Sequence, residues 1–419
     1  MNAKQRQLID YFNTLPDPAP PVTVVRADDG LLEAVGAAPP PPVRPTPEII
    51  SKRLEQRRES ELTRGGYREA SGGLLEGLPA APSEPPLTAR AIAVAAEAVD
   101  LAQNEQPLTR EQEITLEKII DYLQRPVLNV VNGAMSTPPE GWEFLDDYRP
   151  MIERLLPSIG RIDVPGLTGV VYAGTGFMVG EGLLLTNRHV AEFFVDGVGA
   201  GPDFLTFRAD TKAVFDPQYE VGDPDPGTGP DLYSVKEALF VHPHWDAALL
   251  RVEPRGNTTL PPPLQLASAP PPFFGGGALV NVVVIGYPYI DELSPDVPEQ
   301  IRIYGGIFGR KRIAPGYLRT LEDTTTRYGR VKAATHDATT LGGNSGSAVI
   351  DLTSGQVVAL HFGGISRKAN YSVPTWELAR DSHVTSAGIA FAATPEAPGI
   401  TSRAPSWLRK WKELRRVDG

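Results

Sequence analysis

The sequence predicts an all-β fold, a barrel or a sandwich, for the C-terminal two thirds of the chain, after a proline-rich and partly helical N-terminal extension. From about residue 159 onward, short segments rich in β-branched and aliphatic residues alternate with glycine. Many short strands separated by turn signals are typical of barrels and sandwiches. Before residue 87, by contrast, prolines cluster at 16–21, 39–42 and 79–86, and each proline removes a backbone donor and fixes φ.

The proline-rich extension is predicted to span residues 1–87 and to contain one polar helix, over residues 48–63. Thr46 and Pro47 precede this segment as a cap and a first helical residue, an arrangement typical of helix N-termini. The segment is too polar to be a core helix. Residues 1–87 are therefore predicted to be loosely ordered, as linkers or extended chain.

Residues 88–156 are predicted to form a helical region ahead of the β-rich domain. Residues 88–103 place apolar side chains at helical spacing. Residues 109–123 open with Thr109 followed three positions later by Gln112, which is the spacing of a capping box. Two such helices in succession predict a small helical hairpin.

The β-rich domain is predicted to span residues 157–395. A connecting helix over residues 143–156, with a break or restart at Pro150, leads into it. Two longer segments within the domain, residues 201–230 and 288–335, are mostly rich in glycine, proline and aspartate. They are predicted to be insertions at the surface.

Residues 396–419 are predicted to be a basic amphipathic C-terminal tail. Trp407, Trp411 and Leu414 share one helical face, and basic residues occupy the other. Packing of the apolar face on the β-rich domain is the favoured interpretation. Binding to an anionic membrane or to a partner protein is the alternative.

The composition excludes several classes of function. A net charge of −11 argues against a nucleic-acid-binding protein, whose binding face is basic. The chain has 0 cysteines, which excludes disulfides, thiolate chemistry and cysteine-based metal sites. The N-terminus lacks the apolar core of a signal peptide, and the longest apolar run, residues 278–285, falls short of the roughly 20 residues of a membrane span. We therefore expect a cytoplasmic protein with no membrane span and no bound nucleic acid.

Three motifs in the β-rich domain carry the residue types of nucleophilic catalysis. His189 follows the apolar segment 182–186, Asp246 precedes the apolar segment 247–250, and Ser345 lies among glycines. A serine hydroxyl becomes a good nucleophile when a neighbouring imidazole takes its proton, and that imidazole needs a carboxylate to fix its tautomer. The three motifs therefore predict a His-Asp-Ser triad.

Each of these residues also has a plainer interpretation. His189 could be a cap or core histidine, Asp246 a turn aspartate, and Ser345 part of a glycine-serine turn. An aspartate at the mouth of an apolar strand is costly to bury unless it accepts hydrogen bonds, which favours the triad role for Asp246. Asp203 precedes a less continuous apolar run, and Asp231 lies in a glycine- and proline-rich loop. Both are weaker candidates for the carboxylate.

The motifs at residues 186–191, 244–250 and 342–349 together resemble those of the trypsin-like, chymotrypsin-fold serine peptidases. They are most similar to the disulfide-free bacterial branch that includes the glutamyl endopeptidases. The resemblance covers roughly residues 159–392, and it implies a double six-stranded antiparallel β-barrel. An α/β-hydrolase is disfavoured because its nucleophile elbow needs a glycine where this chain has Ser347.

The resemblance also implies a role for each motif residue. His189 would be the general base, Asp246 its orienting carboxylate and Ser345 the nucleophile. The backbone amides of Gly343 and Ser345 would form the oxyanion hole. Asn344 stands where trypsin-type zymogens carry an aspartate, so activation by pairing of a new N-terminal amine with that aspartate is not expected.

The same resemblance predicts the pocket for the residue that precedes the scissile bond. Glutamyl endopeptidases have a histidine at the position of His361 and a threonine at that of Thr340, and this pair could bind a carboxylate. The plainer interpretation of His361 is a structural histidine on a buried strand. We interpret His336 as structural, and His242 and His244 as structural or solvent-facing rather than as metal ligands, because no third ligand has a convincing spacing.

The sequence thus predicts a serine endopeptidase that acts on polypeptide substrates and needs no metal or organic cofactor, with a preference for acidic residues as the finer hypothesis. The alternative is a catalytically silent, protease-like scaffold whose N-terminal extension binds a protein partner. The intact set of three motif residues argues against that alternative. A third, less favoured hypothesis is an esterase that uses the same chemistry.

Overall fold

A computed structural model describes most of the chain from residue 126 onward and shorter parts before it. The described residues are 25–26, 32–33, 89–104, 106–109, 111–112, 126–139, 142–167, 172–199, 202–223, 232–272, 274, 280–290, 297–365, 369–392 and 409–411. The chain divides into two compact units. The first unit comprises residues 1–124, 138–146 and 294–306, and the second comprises residues 125–137, 147–293 and 307–419.

Numbered along the chain, the described residues form strands β1 to β18 and helices α1 to α6. The strands are β1 Val25–Arg26, β2 Leu32–Glu33, β3 Leu128–Val131, β4 Ala134–Met135, β5 Ile159–Asp163, β6 Gly174–Gly180, β7 Leu183–Thr186, β8 Val195–Asp196, β9 Thr206–Phe207, β10 Val214–Asp216, β11 Tyr233–Val241, β12 Ala248–Pro254, β13 Val280–Gly286, β14 Arg312–Thr326, β15 Gly329–His336, β16 Ala348–Asp351, β17 Val357–Ile365 and β18 Ala369–Pro374. The helices are α1 Ala89–Gln103, α2 Arg149–Leu155, α3 Arg188–Ala191, α4 Val297–Tyr304, α5 Thr375–Leu378 and α6 Ser382–Thr385.

The predicted helix over residues 88–103 is confirmed as α1 in the first unit. The capping box is also confirmed. The Thr109 N–H donates to Gln112 Oε1 at 2.9 Å, and the Gln112 N–H donates to Thr109 Oγ1 at 3.3 Å. The rest of that predicted helix, like the polar helix predicted over residues 48–63, lies outside the described residues.

The predicted restart at Pro150 is confirmed where the chain approaches the β-rich domain. A 3-10 helix spans Glu143–Tyr148. The helix α2 begins at the next residue, Arg149, and has Pro150 in its first turn. Proline is tolerated at that position because the first helical N–H groups have no intrahelical acceptor. The region predicted to be helical also contains the hairpin β3–β4. This hairpin belongs to the second unit, where β3 pairs with β14.

The first six-stranded ring of the second unit is a closed antiparallel barrel. Its strands follow the order β10–β11–β12–β7–β6–β5, with β5 paired to β10. Every residue of β6 and β7 is buried, which explains why these segments read as continuous apolar runs rather than as alternating ones. The barrel interior is filled by Met178, Leu184, Val190, Phe194, Phe215 and Leu250, among others.

A second ring of six antiparallel strands follows along the chain. Its order is β13–β16–β17–β18–β15–β14, and β14 pairs with β13 to close the ring. The hairpin β3–β4 extends the sheet beyond β14. Its core includes Val282, Val284, Leu318, Ala334, Val349 and Val358. The predicted double six-stranded β-barrel is therefore confirmed.

The prediction that residues 288–335 form a surface insertion is wrong for most of the segment's second half. Residues from Arg312 onward form β14 and β15, the longest hairpin of the second barrel, and the first seven residues of β14 are buried. Pro315 and Gly316 conceal this strand in the sequence because both residues usually interrupt strands. Gly316 is required here because a Cβ atom would lie 2.6 Å from the Ala338 nitrogen.

Within the part of the chain that the structure describes, no helix combines the length and the apolar character that crossing a membrane requires.

Candidate active site

His189 and Asp246 form a close pair at one end of the first barrel. His189 Nδ1 lies 2.7 Å from Asp246 Oδ2, and the His189 backbone N–H donates to Asp246 Oδ1 at 3.0 Å. The His189 side chain is 19% exposed and that of Asp246 only 7%. The carboxylate therefore fixes both the backbone and the ring of the histidine, while part of the imidazole stays accessible.

This hydrogen bond determines which ring nitrogen of His189 carries the proton. An ionised carboxylate can only accept, so Nδ1 must donate, and the neutral imidazole then has its lone pair on Nε2. A lone pair at Nε2 is what a general base needs. The arrangement can thus take a proton from a hydroxyl group placed beside Nε2.

The pairing of β7 with β12 explains why two residues 57 positions apart meet. Ala248 pairs with Thr186, and the strands are antiparallel, so the residues before Ala248 lie beside those after Thr186. Asn187 adds a further link, because its Nδ2 donates to the Asp246 carbonyl at 2.8 Å. The register of the first barrel therefore brings the two motifs together.

The two rival aspartates are not part of this pair. Asp203 is exposed in a 3-10 turn over residues 202–204. Asp231 lies outside the described residues.

Ser345 lies in the tight loop that precedes β16 in the second barrel. Residue 345 itself is half-buried, and its carbonyl accepts from the Thr175 N–H at 2.8 Å. The Gly346 N–H donates to the His361 carbonyl at 2.9 Å, and Gly346 has a φ of +89°. A glycine is required there because a Cβ atom would lie 1.8 Å from the Thr175 carbonyl oxygen.

Gly174, the first residue of β6, lies between helix α3, which carries His189, and the Ser345 loop. A Cβ atom at Gly174 would lie 2.7 Å from Val190 Cγ2 and 2.8 Å from the Ser345 carbonyl oxygen. The residue after His189 and Ser345 itself therefore pack on the same glycine. No hydrogen bond joins the side chains of His189 and Ser345, both of which the structure describes. Such contacts commonly tighten only in the substrate complex.

The backbone N–H groups of Gly343 and Ser345 make no hydrogen bond within the described part of the chain. The Gly342 carbonyl accepts from the Tyr289 N–H at 2.6 Å. Because a trans peptide is planar, the Gly343 N–H points away from that carbonyl. The two amides are thus available to an external acceptor, as an oxyanion hole requires.

Gly343 packs against Tyr172 and Tyr287 and is hydrogen-bonded to Thr175. Its carbonyl accepts from Thr175 Oγ1 at 2.9 Å, and Tyr172 Oη donates to the Tyr287 carbonyl at 2.5 Å. The φ of Gly343 is +80°, in the left-handed region. A Cβ atom here would lie 2.3 Å from Tyr172 Oη and 2.4 Å from the Tyr287 carbonyl oxygen. This position therefore requires glycine.

If the Gly343 N–H is an oxyanion donor in peptide hydrolysis, Gly343→Ala should lower kcat about 10²-fold to 10³-fold, the usual cost of losing one such donor. The added methyl group strains the backbone and forces the loop away from the tyrosines, which displaces the Gly343 N–H. Gly342→Ala is the matched control, because a Cβ atom there meets nothing within 4 Å. Equal kcat values for the two variants would contradict this interpretation of the loop.

His361 is buried on β17, and its Nδ1 lies 3.0 Å from His336 Nε2. Burial lowers the pKa of His361 well below its ordinary value, and His336 and His189 lower it further. His361 is therefore neutral near neutral pH. When His336 Nε2 donates to His361 Nδ1, the other ring nitrogen of His361 carries a proton and can donate. Within the described residues, that nitrogen has no hydrogen-bond partner.

Thr340 and His361, which the sequence pairs in one pocket, have no hydrogen bond to each other among the described residues. Thr340 Oγ1 donates instead to Asn370 Oδ1 at 2.7 Å, and Asn370 Nδ2 donates to the Ala338 carbonyl at 2.7 Å. The threonine hydroxyl would have to leave Asn370 before it could donate to a ligand.

Two residues near the site make contacts that the sequence does not indicate. His336, which we interpret as structural, is the hydrogen-bond partner of His361. Thr175, which binds the Gly343 carbonyl, was not singled out at all. No pattern marks Thr175, whereas the scarcity of histidine, 6 in the whole chain, could have drawn attention to His336.

The chain is similar to known serine proteases. A family model described as the trypsin-like peptidase domain matches residues 174–360. A probable serine protease of Lysobacter enzymogenes is 31% identical over 255 residues, covering 53% of this chain and 61% of that protein. A glutamyl endopeptidase of Staphylococcus epidermidis is 26% identical over 217 residues, covering 52% of this chain and 62% of that protein. The chain thus spans less than two thirds of the length of these relatives.

Two solved structures are also similar to part of this chain. The M. tuberculosis protease Rv3671c in its active form is 22% identical and has a TM-score of 0.37, with 62% of this chain and 91% of that chain covered. Deg5 is 19% identical and has a TM-score of 0.39, with 59% of this chain and 98% of that chain covered.

Two six-stranded antiparallel barrels, with a histidine–aspartate pair on the first and a glycine-rich serine loop on the second, define the chymotrypsin-fold class. Residues 174–360 of this chain match the family model of the trypsin-like peptidase domain. The resemblance inferred from the three motifs is thereby confirmed.

Proposed function

We propose that the protein is a serine endopeptidase in which Ser345 is the nucleophile, His189 the general base and Asp246 the carboxylate that orients it. In the first step, Ser345 Oγ attacks the peptide carbonyl carbon while its proton passes to His189 Nε2. The tetrahedral intermediate collapses as His189 gives this proton to the leaving amine, which departs. Water then attacks the acyl-enzyme with the same general-base assistance, and the acid product leaves.

The observation that carries this proposal is the contact of His189 Nδ1 with Asp246 Oδ2 at 2.7 Å. His189 lies on helix α3, whose Val190 packs against the same glycine as Ser345. A buried carboxylate on one ring nitrogen prepares the other nitrogen for proton transfer. The amides of Gly343 and Ser345 would then stabilise the negative charge that develops on the carbonyl oxygen. No step needs a metal or an organic cofactor.

Cleavage of a library of internally quenched peptides tests the proposed activity. We expect turnover of peptides by the full chain, and labelling by a fluorophosphonate probe that reacts with activated serines. If the full chain stays inactive, and remains so after residues 1–87 are removed, the alternative of a protease-like binding scaffold is favoured.

We further propose that the enzyme prefers substrates with an acidic residue before the scissile bond. The support is a buried histidine pair, in which His361 can donate from one ring nitrogen while His336 contacts the other at 3.0 Å. Because His361 is neutral in the empty pocket, no unpaired positive charge is buried before the carboxylate binds. The similarity to a glutamyl endopeptidase favours the same preference.

His361→Ala is expected to lower kcat/KM for substrates with glutamate at this position about 10-fold to 100-fold, with a smaller effect on matched glutamine substrates. This range corresponds to the loss of one hydrogen bond to a charged group. Thr340→Val is expected to lower kcat/KM for glutamate substrates less than His361→Ala does, because the threonine hydroxyl already donates to Asn370. Equal losses for glutamate and glutamine substrates in His361→Ala would exclude His361 as the specificity residue.

The preference should also depend on pH. The pKa of His361 in the empty pocket is held well below its ordinary value, first by burial and then by His336 and His189. A bound carboxylate opposes these effects and raises the pKa of His361, so that binding takes up a proton. The ratio of kcat/KM for glutamate over glutamine substrates should therefore fall as the pH rises through the pKa that His361 has in the substrate complex. A ratio that rises with pH would contradict the pocket.

The domain division is part of the same proposal. We propose a peptidase domain over residues 157–395, a helical region over 88–156, a proline-rich extension over 1–87 and a C-terminal tail over 396–419. We also propose that the extension binds a protein partner. Pull-down with residues 1–87 deleted or present would test that role separately from catalysis.

A further inference from the structure

We infer that Trp411, Asp381 and His242 form a network that positions the Asp246 loop, so that the orientation of His189 depends on the C-terminal segment 409–411. This inference rests on the proposed function, because it concerns the same histidine–aspartate pair. It goes beyond that function in assigning a role to three residues outside the triad and the substrate pocket.

Asp381 is the centre of the network and is fully buried. Its Oδ2 accepts from Trp411 Nε1 at 2.5 Å and from His242 Nε2 at 3.0 Å, and its Oδ1 accepts from the His383 N–H at 2.8 Å. Burial alone would raise the pKa of Asp381, but the hydrogen bonds from these three residues outweigh it and lower the pKa to about 2. Asp381 is therefore a buried anion whose position depends on its donors.

His242 transmits the position of Asp381 to the backbone beside Asp246. Its Nδ1 accepts from the N–H groups of His244 and Trp245, at 3.1 and 2.9 Å. Because Nδ1 accepts two hydrogen bonds, the ring proton is on Nε2, which faces Asp381. Burial lowers the pKa of His242 below its ordinary value, which agrees with a neutral ring. The imidazole is thus a rigid bridge between the carboxylate and the loop.

The loop held by His242 leads directly into Asp246. The His242 N–H donates to the Ala247 carbonyl at 2.8 Å, and the Ala247 N–H donates to the Trp245 carbonyl at 2.8 Å. His242 therefore fixes the backbone on both sides of Asp246. A displacement of its ring would move the carboxylate that contacts His189.

Trp411 is anchored by rings as well as by its hydrogen bond, and it is only 4% exposed. Its ring stacks on His383 with centroids 4.6 Å apart, and it meets Phe240 of β11 edge-on at 6.0 Å. The indole N–H therefore reaches Asp381 from a fixed position. This contact agrees with the predicted packing of the tail on the β-rich domain, while Trp407 and Leu414 lie outside the described residues.

The segment 409–411 is also linked, through Tyr328, to the helix that carries His189. Lys410 Nζ donates to the Tyr328 carbonyl at 3.4 Å, at the tip of the β14–β15 hairpin. The Arg188 guanidinium lies 3.9 Å from the centre of the Tyr328 ring, and Tyr328 Oη donates to Glu192 Oε2 at 3.0 Å. Arg188 directly precedes His189. The segment 409–411 therefore contacts structure on both sides of the proposed acid–base pair.

Trp411→Phe is the sharpest test, because it removes the indole N–H and retains an aromatic ring. We expect kcat per active site, titrated with the fluorophosphonate probe, to fall about 10-fold to 100-fold, with KM within about twofold of wild type, because small misplacements of a catalytic group have effects of this size. Asp381→Asn should lower kcat in the same direction. Arg409→Ala, an exposed neighbour in the same segment, is the control and should match wild type.

Proton NMR supplies a second readout that does not depend on turnover. The proton shared by His189 Nδ1 and Asp246 should resonate far downfield, and we expect Trp411→Phe to shift or broaden it in the Ser345→Ala background. A wild-type kcat per site in Trp411→Phe would overturn the inference. So would an equal loss in Arg409→Ala, or an unchanged proton resonance in Trp411→Phe.

The two proposals fail in different ways. If wild-type protein neither labels nor turns over peptides, the proposed function fails, while the NMR comparison still tests the network. If wild-type protein is active and Trp411→Phe matches it, only the network fails. Should Trp411→Phe yield no folded protein, Asp381→Asn gives the same comparison at the centre of the network.

Discussion

Ser345→Ala is expected to lower kcat for peptide hydrolysis on the order of 10⁶-fold and to abolish labelling by a fluorophosphonate probe. Removal of the nucleophile from a catalytic triad costs about this much, and the activity that remains comes from binding and the oxyanion hole. KM should change little, because the hydroxyl contributes mainly to the reaction and not to binding of the substrate. Turnover of a fluorogenic peptide and gel detection of the labelled protein provide the measurements.

Ser347→Ala is the matched control for this experiment, because the two serines share one motif. Ser347 is fully buried, and its Oγ donates to Asn344 Oδ1 at 3.3 Å, so its hydroxyl serves the structure of the loop. We expect Ser347→Ala to retain labelling and to lose about 1 kcal/mol of unfolding free energy. Labelling that survives Ser345→Ala but not Ser347→Ala would exchange the roles of the two serines.

The class of fold could be predicted because its local signals are strong. Residues 174–180 and 183–186 have the glycine boundaries and apolar composition of buried strands, and both are strands in the first barrel. Closure into two separate rings is different, because it depends on pairing between distant strands such as β5 with β10 and β13 with β14. Only the resemblance of the motifs predicted that closure.

The strand β14 shows how tertiary contacts can override a local pattern. Pro315 and Gly316 read as a break, yet they pair with Val283 and Val282 on β13. Glycine fits because the chain passes close to Ala338, and no other residue would leave room for that approach. Information of this kind lies in the packing partner and not in the strand's own sequence.

Those residues of the candidate site that directly flank an apolar strand segment could be predicted from the sequence. His189 follows β7 and Asp246 precedes β12, so their segments identify them. His336 could not be recognised in this way, because its contact with His361 depends on the registers of β15, β17 and β18. The network around Asp381 is less predictable still, since it joins positions 242, 381 and 411.

Asp246→Asn should lower kcat about 10⁴-fold while leaving the fold intact, and the hydrogen bonds of Asp246 explain why. In the wild type, Oδ1 accepts from the His189 backbone N–H at 3.0 Å and Oδ2 contacts Nδ1 at 2.7 Å. A backbone N–H can only donate, so the asparagine oxygen must face it. The amide NH₂ group then faces Nδ1, which has to accept.

This exchange forces His189 into the opposite tautomer, with its proton on Nε2 and no lone pair available for the Ser345 proton. The measurements are kcat for a fluorogenic peptide, the melting temperature, and the downfield resonance of the Nδ1 proton, which should disappear. Asp203→Asn, at the exposed rival position, should match wild type in all three. A kcat within tenfold of wild type for Asp246→Asn would mean that another carboxylate orients the histidine.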